Sequence, residues 1–206
     1  MPIDLSALAA PEHTAVVTSE CQNGVIGPET LLPELSTAAQ QGMIPALVSL
    51  LASARGASVP VVHCLYGRRP DYLGSNSNAR LFTALRDVEP KLVLGSPAVS
   101  LVRELGPEPT DLVLTRIHGI NPMAAGTDLD PVLRNLGVKT LVVTGVSVNV
   151  AITNLVMDAV NLGYQVVLPR DAVVGFPADY ADAIIDNTLS LLATVTTTSA
   201  LIAAWK

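Results

Sequence analysis

Three short apolar runs in this sequence end in residues whose types suit catalysis. Residues 14–19, TAVVTS, lead to Glu20; residues 111–115 lead to Arg116; residues 140–144 lead to the turn Gly145-Val146-Ser147. A carboxylate at the C-terminal end of a buried strand faces the crevice of an open α/β sheet, where it is placed for proton transfer. A guanidinium at such an end holds an anion or opposes developing negative charge, and it keeps its own proton. Beyond Ser147 a helical pattern opens. Its first turn aims the backbone N–H groups near 149–151 back at the strand end, where they stabilise an anion. Every strand-to-helix junction shares that last property, so it marks a place more than a reaction. The loop YGRRPDYLGSNSNARLF carries Arg68 and Arg80, either of which could hold a substrate carboxylate. A solvated surface loop accounts for the same residues. His118 could supply a titratable group beside Arg116, although a loop histidine without a role is the plainer reading. His63 reads first as a satisfied strand histidine.

The elements that must position these groups follow from periodicity. The runs at 14–19, 59–65, 111–115, 140–144, 164–168 and 195–198 are short and rich in β-branched residues, as buried parallel strands are. Helical patterns cover 35–56, 128–136, the segment from Ser147 to Gly163 and the stretch from Pro177 to about 193, with a terminal helical turn at 199–206. Ser36 is the expected N-cap of the first, and Pro45 predicts a break near Ile44. Residues 1–13 read as a loose lead-in, and 86–110 as a Pro/Gly-punctuated connector with a helical piece around 98–105. Strands alternating with helices give a parallel sheet covered on both faces. No linker or repeat divides residues 1–206, so one domain is expected, with its site where the ends of strands one, three and four converge.

Composition narrows the partners. The net charge is −6, with no basic cluster beyond Arg68-Arg69, which disfavours nucleic acid and anionic membranes. No basic, apolar leader opens the sequence, and no uninterrupted apolar run reaches membrane-spanning length. Cys21 and Cys64 lack metal spacing and suit a reducing compartment, so a cytoplasmic protein is expected. Cys21 follows Glu20 and, by strand alternation, faces the core as a structural thiol. Charged residues make up only 15 %, and the helix after Ser147 shows little polar face, which predicts a homo-oligomer with an apolar interface.

The stretch GVSVNVAITNLVMDAVNLGYQVVLPRDAV, together with Glu20-Cys21-Gln22-Asn23 and Gly126-Thr127-Asp128-Leu129, resembles the isochorismatase-like hydrolases. That resemblance implies a doubly wound, six-stranded, mainly parallel sheet and a cis peptide after Val146. It also implies three catalytic positions. The family's acid or base, an Asp, corresponds to Glu20; its Lys corresponds to Arg116; its nucleophilic Cys corresponds to Ala151. Val146 and Ser147, with Arg68, Arg80 and His118, complete the expected substrate-binding set. The Asp-x-His metal cluster of the family's nicotinamidases has no counterpart, so neither metal nor other cofactor is expected. Ala151 cannot form an acyl-enzyme. Two readings follow for a small-molecule partner. One is a hydrolase of a small, anionic metabolite using carboxyl-acid catalysis, as the family's isochorismatases dispense with the thiol. The other is a binding protein on a retired enzyme scaffold.

Overall fold

A computed structural model of the protein describes residues 3–206. One sheet organises the chain. Its strands are β1 (Thr14–Ser19), β2 (Val61–Tyr66), β3 (Leu112–Arg116), β4 (Thr140–Val146), β5 (Gln165–Pro169), β6 (Val173–Val174) and β7 (Thr194–Thr196). Every pairing is parallel, in the order β3-β2-β1-β4-β5-β7, and β6 adds to the far end of β4. The sheet therefore has seven strands where six were expected. The additional pair of residues pairs with Gly145 and Val146, beyond the register shared by β4 and β5. A two-residue strand carries too little periodicity to be read from sequence.

The central strands alternate between two cores. Val16 and Val142 face one layer, while Ala15, Val17, Leu141 and Val143 face the other. This is why both strands read as unbroken apolar runs. The N-terminal lead-in is ordered from residue 3 on. Asp4 caps α1 (Leu5–Leu8), Thr140 bonds to Leu8, and Trp205 donates to the Ala9 carbonyl at 2.7 Å. Short helices α2 (Asn23–Ile26) and α3 (Pro33–Ala38) follow β1. Helix α3 starts at Pro33, whose missing N–H costs nothing in a first turn. Ser36 is therefore inside the helix, not its cap, and its hydroxyl donates to the Ile26 and Gly27 carbonyls.

The break expected at Pro45 takes the form of a π-helical turn, Ala39–Met43, before α4 (Ile44–Gly56). Widening the preceding turn accommodates the proline ring and its absent donor without ending the helix. The resulting stretch, Pro33–Gly56, has 24 residues and is long and apolar enough by composition to cross a membrane. Leu47, Leu50, Leu51 and Ala54 are nevertheless buried against the sheet. Helix α5 (Arg80–Ala84) rises from the loop after β2, and α6 (Leu129–Asn135) leads to β4. After Ser147 a π-helical turn, Val148–Ile152, precedes α7 (Thr153–Asn161). The polar residues of α7 are engaged: Asn121, itself buried, donates to Asn154 at 2.8 Å and to Asp158 at 3.0 Å. These bonds tie the loop after β3 to the helix. Helices α8 (Ala178–Asn187) and α9 (Thr198–Ala204) complete the two layers.

His63 is a satisfied strand residue, far from the strand ends that form the cleft described below. Its Nδ1 bonds to Thr18 at 2.8 Å and its Nε2 to Asp111 at 3.2 Å. Asp111 in turn accepts from Arg55 at 2.6 Å and from the Glu108 amide at 2.8 Å. Burial opposes the charge on Asp111, but the bonds from Arg55 and its neighbours outweigh it and hold the carboxyl below its ordinary range. Burial lowers the His63 pKa, against the pull of Asp111. The unfolded chain therefore binds a proton at His63 more readily than the folded one does, and stability falls as pH drops through the ordinary histidine range of about 6.5. Asp111 adds a second loss at lower pH, below about 4. The expected outcome is a lower Tm at pH 5 than at pH 7. In the folded protein, the His63 ring proton should titrate by NMR below a free histidine.

Candidate active site

The C-terminal ends of β1, β3 and β4 meet in a cleft lined by Glu20, Tyr66, Arg68, Arg116, Ser147 and Ala151. Each of the first five owes its place to a strand end or to the residues just beyond one. Glu20 leaves β1 in the left-handed region, at φ 54°. A non-glycine residue there costs roughly 1–2 kcal/mol, so the surrounding structure holds it in place. This bend, not strand alternation, turns Glu20 to the cleft and leaves Cys21 fully buried in the core.

Arg116 ends β3, which is separated from β1 by β2. Its side chain spans that gap. The guanidinium passes over the Tyr66 ring, 5.0 Å from its centre, and Nη2 donates to Glu20 Oε1 at 2.5 Å. The side chains are 6 % and 19 % exposed respectively, so the ion pair is largely shielded from water. Arg116 Nε and Nη1 are buried and have no partner among the described residues. The remaining strand end approaches just as closely. Gly145, at φ +99°, lies so near β1 that a Cβ there would stand 2.3 Å from the Ser19 carbonyl oxygen. The peptide between Val146 and Ser147 is cis. The Ser147 carbonyl accepts from the Val150 and Ile152 amides, which winds the π turn and brings Val150 and Ala151 to the cleft.

Two of the expected binding residues lie elsewhere. Arg80 opens α5 and is exposed, because the helix presents Leu81, Phe82 and Leu85 to the cleft. His118 borders a neighbouring cavity with Thr127 and Asp128. The chain turns at Gly119, φ +77°, so that Gly119 and Ile120 reach the cleft and His118 does not. Arg68 does line it. Its guanidinium is buried, donates to the Leu85 carbonyl at 3.0 Å and lies over the Tyr72 ring.

Two positions were missed by sequence reasoning. Gln22 is buried, and its side-chain amide bonds both ways to the Tyr66 backbone, at 2.8 and 2.9 Å. It thereby extends the β1–β2 pairing past the strand ends and fixes the Tyr66 ring beneath Arg116. The Gln-Asn-Gly run after Glu20 was a signal for the first of these. Nothing local marks Tyr66.

A family model, the Isochorismatase domain, matches residues 14–200. The chain belongs to the isochorismatase family. Curated relatives include the ureidoacrylate amidohydrolase RutB of Rhizobium rhizogenes, 29 % identical over 185 residues, covering 82 % of this chain and 74 % of that protein. The same enzyme of Methylobacterium radiotolerans is 30 % identical over 179 residues, covering 79 % and 67 %. Among solved structures, a cysteine hydrolase from Pseudomonas syringae pv. phaseolicola 1448A superposes with a TM-score of 0.84 at 24 % identity, covering 96 % of this chain and 94 % of that one. The pyrazinamidase of Pyrococcus horikoshii, solved in complex with zinc, gives 0.73 at 18 % identity, covering 90 % and 99 %. The doubly wound α/β architecture is thus that of the isochorismatase-like hydrolases. Among the described residues, no three His, Cys, Asp or Glu side chains group as metal ligands. The residues present do not fit a zinc site.

Backbone geometry at the cleft yields two stability predictions. Gly145→Ala should destabilise the fold by on the order of 1–3 kcal/mol or more, through its φ and its contact with Ser19. Glu20→Gly should be more stable than Glu20→Ala by about 1 kcal/mol, because only glycine relieves the left-handed backbone. Urea denaturation of the variants measures both. Equal stability of the Glu20→Ala and Glu20→Gly variants would show that φ is not positive at that position.

Proposed function

We propose that this isochorismatase-family hydrolase acts on a small anionic metabolite without a thiol nucleophile. The observation that carries this reading is the shielded Glu20–Arg116 pair beside the Ser147–Ala151 turn, which joins a proton-transfer group to a fixed cation in one cleft. The position matched to the family's nucleophile is Ala151, which offers no attacking atom. Neither cysteine replaces it. Burial, with the Glu20 charge, pushes the Cys21 thiol far above its ordinary range, and burial pushes Cys64 up to about 12. A thiolate is the reactive form, and it is disfavoured at both positions.

Water is then the nucleophile. The Glu20 carboxylate takes a proton from the water as the water oxygen bonds to the electrophilic carbon. The carboxylic acid so formed gives that proton to the leaving atom as the bond to that atom breaks. Arg116 opposes the negative charge that develops, or holds the substrate's anionic group, without exchanging its own proton. Relatives named amidohydrolases favour a small substrate with a bond to be split by water. The altered side chains favour a different route to splitting it.

One observation favours the second reading, a binding protein on the same scaffold. Glu20 already accepts a hydrogen bond from Arg116, so the pair closes on itself.

The two readings separate on Glu20→Gln, which keeps the shape and removes the acid. For the hydrolase, turnover should fall by about 10²–10⁴-fold. Arg116→Ala should weaken both binding and rate. Alkylating agents should leave activity intact. Loss of activity on alkylation, with the circular dichroism unchanged, would count against the acid mechanism. For a binding protein, no substrate in a screen of vinyl ethers, amides and esters turns over, and Glu20→Gln alters only affinity.

We also propose a homo-oligomer: Phe176, Tyr180 and Leu191 are 52 %, 55 % and 80 % exposed on a weakly charged chain. A subunit interface would cover such side chains. Light scattering at micromolar concentration should give a multiple of the monomer mass, and a monomer mass would rule this out.

A further inference from the structure

We infer that the cleft takes an amphipathic monoanion: a compact, mainly apolar body of about five carbons bearing one carboxylate-like group, with any bond to be split lying against Glu20 and Ser147. This rests on the reading of the cleft as the substrate site, and it adds what kind of molecule fits there.

The walls are apolar from several directions. Leu31 and Leu35 come from around α3, Phe82 and Leu85 from α5, Ile120 from the loop after β3, and Val150 from the π turn. None of these side chains can hydrogen-bond to a ligand. The uncharged polar side chains of the lining are Tyr66 and Ser147 alone, so a second polar group placed away from them would be desolvated against leucine without compensation. The size is restrictive as well. The cavity volume is about 110 Å³, somewhat below the roughly 150 Å³ of an apolar protein cavity that accepts benzene.

Charge is confined to three side chains. The charged residues lining the cleft are Glu20, Arg68 and Arg116, a formal sum of +1 from one carboxylate and two guanidinium groups. Arg116 is the anchoring group. Its side chain is only 6 % exposed, and the Nε and Nη1 donors lack a partner among the described residues. Buried charged donors left unpaired are costly, and a carboxylate oxygen that accepts from them removes the cost. A molecule with one anionic end and a hydrocarbon remainder satisfies both regions. A dicarboxylate or a ureido acid of the same length satisfies only one.

Isothermal calorimetry on the intact protein tests this with butanoate, pentanoate, hexanoate and cyclohexanecarboxylate, against succinate and 3-ureidopropionate. Affinity should rise about fourfold per added methylene until the cavity is full. The two polar acids should bind at least about tenfold more weakly than hexanoate. Phe82→Ser, on the half-buried face of a short helix, should weaken hexanoate by about tenfold and leave acetate unchanged. Arg116→Met should abolish the preference for hexanoate over hexanol. A flat chain-length series, or polar acids that bind as tightly as hexanoate, would overturn the inference. The outcome is independent of turnover. A steep series with no hydrolysis of any derivative supports the apolar monoanion and removes the hydrolase reading. Hydrolysis of polar amides with a flat series does the reverse.

Discussion

The reach of Arg116 across β2 to Glu20 is the contact on which the cleft depends. It joins the ends of two strands that are not neighbours, and it does so over the face of Tyr66. Taking two charges out of water is costly, and their attraction repays this only when geometry is good. Here the geometry is supplied from below. Gln22 extends the β1–β2 pairing by two hydrogen bonds to Tyr66, and Tyr66 is in register with Arg116. Removing one partner would leave the other charge shielded and unpaired, a loss of about 3–5 kcal/mol in buried pairs. The pair is therefore a structural contact as well as the proposed proton-transfer group and cation.

The other half of the cleft is set by backbone. Gly145 lets β4 approach β1 more closely than any side chain would permit, and the following π turn brings Val150 and Ala151 toward the pair. A single π turn inside a helix is an uncommon arrangement that recurs at functional sites. The loop after β3 is held just as firmly, since Asn121 spends its donors on α7. The result is a charged end with little freedom facing a wall of leucines, phenylalanine and valine. In the proposed reading, such a cleft would discriminate by what the ligand must leave unpaired.

Much of this was legible in the sequence. The central strands announced themselves because both their faces are buried, so Val16 and Val17, or Val142 and Val143, are apolar for opposite sides of the sheet. The resemblance to the isochorismatase-like hydrolases marked Glu20, Arg116 and the 145–151 turn. Boundaries were less legible where backbone chemistry overrode propensity. Ser36 has the residue type of a helix cap, but Pro33 had already begun the helix. Val173 and Val174 are too few to show a period, and only the end of β4 that β5 leaves unpaired makes them a strand.

Residue type and order alone determined the alternation of strand and helix, the family, and which strand ends carry a carboxylate and a cation. These depend on local periodicity and on motifs contiguous in the chain, which a sequence displays directly. The tertiary structure decided the rest. Arg68 and Arg80 occupy one loop and look equivalent as letters, yet one guanidinium is buried in the cleft and the other is exposed at the start of α5. Arg116 and His118 are two residues apart and share a second cavity, yet with the turn at Gly119 only Arg116 also lines the cleft. Which side chains share a cleft depends on sheet order, positive-φ bends and packing between distant segments, and those are fixed only when the whole chain has folded.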